Sequence, residues 1–326
     1  FDPYQSNSYS QHWNFTVQKQ LPSSIYLEVG YVGSKGTNLP LKFDGNRPIE
    51  PIVPGTGPPL SERRPNQDFS SVTTVKMNGQ STYNSLQIKL ERRMSNGLSF
   101  LGSYTWAHTI ANSDQSTLGG GSFIGKIQDI FNLAAEKGNA GNDIRHRFSA
   151  AVLYDLPVFS GSSSFVRTVL GSWRVSTIVT LQTGFPARIV GGGRTTSTGV
   201  FSRPSIVPGQ DAKLPRSQRS RDRWFNTDAF TFPELGSFGT ASRAPVHLPG
   251  LRLVDFSAVK NFRFAERFNL QFRAEFFNFF NHVNLGAPGV NIRRASSFGR
   301  ITSSNQGSAG MRNPGRVIQF ALKLQF

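Results

Sequence analysis

Nine stretches of the chain alternate between apolar and polar residues. The first sets Trp13, Phe15 and Val17 against Asn14, Thr16 and Gln18. The next carry Ile25, Leu27, Val29 and Tyr31 around Glu28 and Gly30, then Leu86, Ile88 and Leu90 against Gln87, Lys89 and Glu91. Leu98, Phe100, Gly102, Tyr104 and Trp106 follow, and then Phe148, Ala150, Val152 and Tyr154 with Arg147 and Asp155 on the other parity. The later stretches run Trp173 to Leu181 with Arg174 between, Val254 to Ala258 around Asp255, Phe268 to Phe276 with Arg273 and Glu275, and Ile318 to Phe326. A period of two is the signature of a strand, because successive side chains point to opposite faces. Runs of about 10 residues match the length that crosses a bilayer as a tilted strand.

A half-buried soluble sheet alternates in the same way, so the connections decide between the two. They are short at Leu21–Ser23, Met94–Gly97 and Ala265–Arg267, and moderate at Pro157–Ser172. Between these come four long ones: Ser34–Ser81, His108–Ile144, Gly184–Leu251 and Asn281–Gly315. Soluble domains seldom carry loops beyond about 12–15 residues, whereas outer-membrane barrels combine short periplasmic turns with long extracellular loops. The expected fold is therefore all-β, a transmembrane antiparallel barrel. Phe326 then lies at the periplasmic interface. Tyr31, Tyr104 with Trp106, Trp173, and Phe262 with Phe264 fall near strand ends, where aromatic girdles belong. Lys260 interrupts the apolar face near the periplasmic end, where its side chain is expected to snorkel to water. Leu101, Val259, Phe277 and Phe279 fall on the lumen parity, which implies either contact with something inside the barrel or a bulge that shifts the register.

Nine strands are an odd number, and an open edge in lipid leaves backbone groups unsatisfied. Together with a start at Phe1, without Met or signal peptide, this leads to an expected fragment or processed product with further strands upstream. The 326 residues form one segment, 1–326.

Composition adds exclusions. No Cys is present, which removes disulfides, thiolate metal sites and a Cys nucleophile. No run approaches 18 apolar residues, so no transmembrane helix is expected. Mean hydropathy is −0.31 and the formal charge is +17. His12, His108, His146, His247 and His282 show no zinc-site spacing, and no HExxH or GxSxG motif occurs. Gly119–Gly121 and Gly191–Gly193 lack the Lys-Ser/Thr of a phosphate loop and read as flexible loop. No cofactor and no enzymatic chemistry are expected. The charges on the polar strand faces, Glu28, Lys89, Glu91, Arg147, Asp155, Arg174, Arg273 and Glu275, are expected to line a wet lumen and neutralise one another.

The densest charge is Arg216, Arg219, Arg221 and Arg223, followed by Trp224. Three readings stand: a solvated loop, a surface for anionic lipopolysaccharide or an anionic ligand, and a nonspecific nucleic-acid patch. The last lacks a stacking platform beyond Trp224 and Phe225, and no nucleic-acid partner is expected.

Several motifs carry a family likeness. They are Ser81-Thr-Tyr-Asn-Ser-Leu-Gln with Glu91-Arg-Arg, Gly97-Leu-Ser-Phe and Ser103-Tyr-Thr-Trp; Arg145-His-Arg-Phe with Gly171-Ser-Trp-Arg and Thr183-Gly-Phe-Pro; and Trp224-Phe-Asn-Thr-Asp-Ala-Phe. Near the end come Arg273-Ala-Glu-Phe-Phe-Asn-Phe-Phe-Asn-His, Phe298-Gly-Arg-Ile-Thr and Arg316-Val-Ile-Gln-Phe-Ala-Leu-Lys-Leu-Gln-Phe. The chain resembles Oar-like TonB-dependent outer-membrane receptors over nearly its whole length. The resemblance implies the last nine strands of a barrel of about 22, with a plugged lumen. It also implies a plug and a TonB-contacting segment upstream. The implied function is ligand capture by the outer loops, above all Ser34–Ser81 and Gly184–Leu251, and energy-coupled import. Implied partners are outer-membrane lipid and lipopolysaccharide, the TonB energy-coupling complex and the barrel-assembly machinery. The last would read Phe326 with Phe320, Leu322 and Leu324 behind it. The rival expectation is a secreted, soluble β-rich adhesin or carbohydrate-binding protein, in which a second layer covers Phe268, Phe272 and Phe276.

Overall fold

The computed structural model describes residues 6–112, 127–157, 169, 171–264, 268–304 and 315–326. Nine long strands form one sheet in sequence order, every pair antiparallel. They are β1 (Tyr9–Leu21), β2 (Ile25–Asp44), β3 (Thr73–Ser95), β4 (Leu98–Ala111), β5 (His146–Asp155), β6 (Trp173–Gln182), β7 (Leu251–Phe264), β8 (Phe268–Phe277) and β9 (Val317–Gln325). The sheet is open: β1 and β9 are its two edges.

Two of the short connections are true hairpin reversals, and the third, Ala265–Arg267, lies outside the described residues. Ser23 and Ser24 both have positive φ, 62° and 59°, as do Asn96 and Gly97, 50° and 77°. Two successive left-handed residues match the twist of the flanking strands, and Asn-Gly is the dipeptide that adopts this at least cost. At Gly97 a Cβ would also meet the Asp155 carbonyl oxygen at 2.7 Å.

Residues paired across strands project to the same face, so the register can be followed as rows. One row runs Leu27, Leu90, Gly102, Ala150, Val179, Val254 from β2 to β7. Another runs Phe100, Val152, Thr177, Phe256, Phe276, Ile318 from β4 to β9. All nine alternations are thus in phase, and their apolar members form one continuous belt. The belt is uncovered: Phe15 is 71% exposed and Leu322 70%. Among the described residues its aromatic rings meet same-face neighbours, such as Phe272 edge-on to Trp173 and stacked with Phe320. Among the described residues no second layer covers Phe268, Phe272 or Phe276, as the soluble alternative requires. Bare apolar area of this extent carries a cost of about 25 cal/mol per Å² in water and none in hydrocarbon.

The belt has a sharp outer boundary. Beyond the row of Tyr31, Leu86 and Trp106, the same face turns polar at Asn84 and His108, while Gly33 leaves room for the Trp13 ring at its side. The girdle side chains turn their polar tips to partners at this level. Tyr31 Oη donates to Asn84 Oδ1 (2.7 Å), and Tyr104 Oη bonds His146 Nδ1 (2.8 Å).

Four expectations need correction. Much of the expected loop Ser34–Ser81 is strand, because β2 and β3 continue above the belt and leave 45–72 as the connection; irregular register near Gly36 and Leu39 lets the hairpin bend there. Lys260 does not snorkel to water. It is 3% exposed, its ammonium donates to the carbonyls of Val169 and Gly171, and it lies 5.6 Å from the Trp173 ring. The bulge explanation fails for Leu101 and Val259, whose pairings Glu91–Leu101–Ala151 and Arg174–Val259–Arg273 fall in unbroken register. Phe279, by contrast, packs on Phe256 and Phe276 of the belt, at 5.3 and 5.7 Å, because the turn after β8 swings it off the lumen parity.

A candidate ligand-binding cap

The connections 45–72, 112–145, 183–250 and 278–316 all leave the sheet at the same end. Although they lack long secondary structure, their described parts fold together. The centre is an apolar core of Ala187, Ile189, Phe225, Ala229, Phe230, Val246 and Phe298, with Trp224, Ile206, Val290 and Ile292 against it. Phe225, Phe230 and Phe298 meet edge-to-face in a mutual trio at 5.2–6.0 Å, an arrangement favoured by the ring quadrupoles. Short two-residue pairings, Ser205–Ile206 with Phe230–Thr231 and Pro186–Ala187 with Val246–His247, hold the chain around it.

A buried polar knot ties three connections. Arg203 donates to Glu136 Oε2 at 2.7 Å, the side chains being 3% and 1% exposed. Arg203 also donates to the Ala135 carbonyl (3.1 Å). Gln128 donates from its backbone N–H to Glu136 Oε1 (3.0 Å) and from Nε2 to the Gly239 carbonyl (3.0 Å), while its own Oε1 accepts from Arg203 N–H. Arg47 reaches across to the Gln128 carbonyl and to Asp129. A buried charge is tolerable only when paired and hydrogen-bonded; Arg203 and Glu136 meet that condition through their ion pair and the bonds to Ala135 and Gln128, although Arg203 Nε and Arg47 Nε are buried without an acceptor. Burial pushes the Arg47 guanidinium below its ordinary pKa, with Asp129, Asp44 and Glu136 opposing. Burial lowers Arg243 to about 10. His247 is also pushed down, first by burial and then by Lys213.

The fourth connection is joined by backbone. Val190 N–H donates to Val290 O and Ile292 N–H to Val190 O. Gly191–Gly193, expected as flexible loop, is instead a packed crossing. Gly191 and Gly193 hold φ of +94° and +99°, and a Cβ on Gly192 would strike the Arg203 carbonyl at 2.4 Å. Gly119–Gly121 lies outside the described residues.

The arginine-rich segment divides. Arg219 donates to the Leu214 carbonyl and lies over the Trp224 ring. Arg223 pairs with Asp228 (2.8 Å). Arg216 and Arg221 are exposed. Trp224 is half-buried and donates its indole N–H to the His247 carbonyl, so it anchors the segment to the cap core. The knot residues Arg47, Gln128, Glu136 and Arg203 were not anticipated from sequence, where isolated polar residues in long loops carry no periodic signal.

The polar face of the sheet collects Glu28, Lys89, Glu91, Arg147, Asp155, Arg174, Arg273 and Glu275. Opposite charges neighbour one another: Lys89–Glu91 at 2.9 Å, Arg174–Asp155 at 2.6 Å and Arg273–Glu275 at 3.7 Å; Gln18 donates to Glu28. Beside them Leu101, Ala151 and Ile178 form an apolar row across β4, β5 and β6, bordering a shallow cavity of about 480 Å³ with Glu91, Arg93 and Ser176. On β9, Phe320, Leu322 and Leu324 lie exposed on the belt, and Phe326 follows the last paired residue. Among the described residues no group of three or more His, Cys, Asp or Glu side chains is placed to hold a metal ion, and no helix is long and apolar enough to cross a membrane.

A one-layer antiparallel wall, an uncovered apolar belt with a polar outer boundary, and long connections gathered at one end define a β-barrel membrane protein. The family model described as "Outer membrane beta barrel domain" matches residues 1–319, and the chain belongs to that family. The protein resides in the bacterial outer membrane. No curated protein matches it. Among solved structures it is similar to the outer membrane transporter YddB from Escherichia coli, with 9% identity and a TM-score of 0.47, over 99% of this chain and 33% of that one. It is also similar to the ferric-catecholate import receptor Fiu from E. coli K12, with 10% identity and a TM-score of 0.43, over 98% of this chain and 28% of that one. The chain thus spans 33% and 28% of the lengths of these two proteins.

Proposed function

We propose that the protein is part of a TonB-dependent, Oar-like receptor that captures a ligand with its outer cap and imports it through the barrel, without enzymatic chemistry. The observation that carries this reading is the cap itself. The described parts of four connections pack together, joined by a buried ion pair and an aromatic core, at one end of the wall. Loops that merely linked strands would not need such a core. Capture surfaces, in contrast, gain affinity from preorganisation.

Strand direction supports a larger ring. Nine antiparallel strands leave β1 and β9 running the same way. Joining them would make a parallel pair, and so would any edge of a second copy inserted in the same orientation. An all-antiparallel ring therefore requires an odd number of further strands, which on this reading come from the rest of a longer polypeptide that also carries the plug and the TonB-contacting segment. Assembly by the barrel-assembly machinery through Phe320, Leu322, Leu324 and Phe326 belongs to the same proposal.

The test uses cells carrying the protein and a panel of radiolabelled iron chelates, oligosaccharides and peptides. Deleting 45–72 and 183–250 should abolish surface binding of the accepted probe. Removing the TonB complex should abolish accumulation but leave surface binding. Binding that survives both deletions would overturn the cap as the capture site, and accumulation without TonB would overturn the energy coupling.

A further inference from the structure

We propose that the cap carries a composite site for a ligand with two or more closely spaced phosphoryl groups, formed where segment 214–224 lies against segment 293–301. The inference rests on the reading of the cap as a ligand-binding surface and names the ligand class. The two segments are locked together. Ile301 N–H donates to Arg221 O (2.7 Å) and Trp224 N–H to Gly299 O (2.9 Å). Beneath them Phe225 and Phe298 are in contact at 5.2 Å. Arg216, Arg219, Arg221 and Arg223 from one segment and Arg294 and Arg300 from the other thus share one hydrogen-bonded support.

Most cap arginines are committed: Arg47 to the half-buried Asp129 and Arg203 to the buried Glu136, Arg293 to the Gly191 carbonyl and the Phe232 ring. At this junction the commitment fails. The guanidinium groups of Arg216, Arg221 and Arg294 have no hydrogen-bond or ion-pair partner among the described residues and are exposed. Arg223 donates to Asp228 and to the Asn226 amide oxygen, and Arg300 to Asp222 and the Ser296 carbonyl; the two carboxylates are 75% and 80% exposed and so replaceable by a stronger anion. The connection 278–316 contains five arginines and no acidic residue, so nothing on that side offsets the excess.

Arginine rather than lysine fills these positions, and its planar fork matches phosphate oxygens two at a time. A cluster of such forks favours an anion with several adjacent phosphoryl groups over a single charge. The phosphoryl groups can belong to a soluble ligand or to phosphorylated outer-leaflet lipopolysaccharide, and the two sources are separable.

The protein is folded in detergent micelles and titrated calorimetrically with inorganic tripolyphosphate. In a second arm it is placed in vesicles containing lipopolysaccharide with or without its phosphates. Saturable binding is expected in at least one arm, weakening steeply with salt. The double variant Arg221→Gln/Arg294→Gln should weaken it by about tenfold or more, the loss expected for charge-assisted hydrogen bonds. Lys42→Gln, on the exposed part of β2, should not. Citrate and a short polyglutamate should bind at least about tenfold more weakly, given the same principle. Binding to tripolyphosphate assigns a soluble ligand; phosphate-dependent binding in the vesicle arm alone assigns the lipid. No saturable binding in either arm overturns the proposal. So does binding that the double variant leaves unchanged while its heat-modifiable gel mobility shows an intact fold, and so does equal binding of polyglutamate. Loss of surface binding on deleting the cap, without any phosphate binding, would overturn this site alone and leave the receptor reading standing.

Discussion

The wall and the cap bury apolar side chains in opposite ways. The wall leaves Phe15, Phe320 and Leu322 bare and relies on hydrocarbon to cover them. The cap withdraws Phe225, Ile189 and Val246 into a closed core, as a small water-soluble domain would, and binds its connections through Arg203 and Glu136. The difference shows where each region's stability originates: the wall depends on the bilayer and on strand pairing, the cap on its own packing. Two independent stability readouts should therefore exist in one chain.

The largest effect is expected in the cap. Glu136→Ala leaves Arg203 buried without its carboxylate, a loss of about 3–5 kcal/mol. Protease should then cut within 127–145 and 183–250 in outer-membrane vesicles, while the urea midpoint of the wall stays put. A joint fall of both would mean that wall and cap are one cooperative unit. Next, Phe272→Arg puts a charge in the middle of the belt and should cost about 2–4 kcal/mol in a bilayer. Gln271→Arg, one position away on the polar face, should cost almost nothing by the same urea titration, and equal costs would erase the distinction between the faces.

A smaller effect is expected from pH. Burial and Lys213 hold His247 below its ordinary value near 6.5, against the pull of Asp143, while Arg145 and Arg219 push it further down. The unfolded cap then takes up a proton that the folded cap resists. Stability is complete above the unfolded value and is lost as pH falls below about 6.5 toward the folded one. Protease cutting of the cap should rise between pH 7 and pH 5, and His247→Gln should flatten that rise. The smallest effect is on the polar face, where Lys89 and Glu91 are both well exposed. Lys89→Gln should leave the urea midpoint unchanged, since water solvates either partner alone.

The wall was legible in the sequence because it obeys one local rule. A period of two survives in any strand that meets lipid on one side and water on the other, so Leu86, Ile88 and Leu90 declare their face without knowledge of their neighbours. Extended β2 and β3 were missed because above the belt both faces are wet and the alternation fades: Lys35, Asn38 and Lys42 lie within β2 all the same. The fate of Lys260 depended on carbonyls from a different connection, which no local pattern encodes. The cap was opaque for that reason throughout. Glu136 and Arg203 meet from separate connections, and Phe225, Phe230 and Phe298 appear in the sequence as scattered aromatics in polar loops.

Adjacent residues of a strand face different solvents in this wall, and β8 is the strand on which this is easiest to measure. The chain has no Cys, so single cysteines can be placed in turn from Phe268 to Phe276 and exposed, in outer-membrane vesicles, to a water-soluble maleimide. Labelling should alternate: positions 269, 271, 273 and 275 react, and 268, 270, 272, 274 and 276 are protected, with the protected set quenched by brominated lipid chains. Protection of both sets, or reactivity of the even positions without contact to lipid, would contradict it.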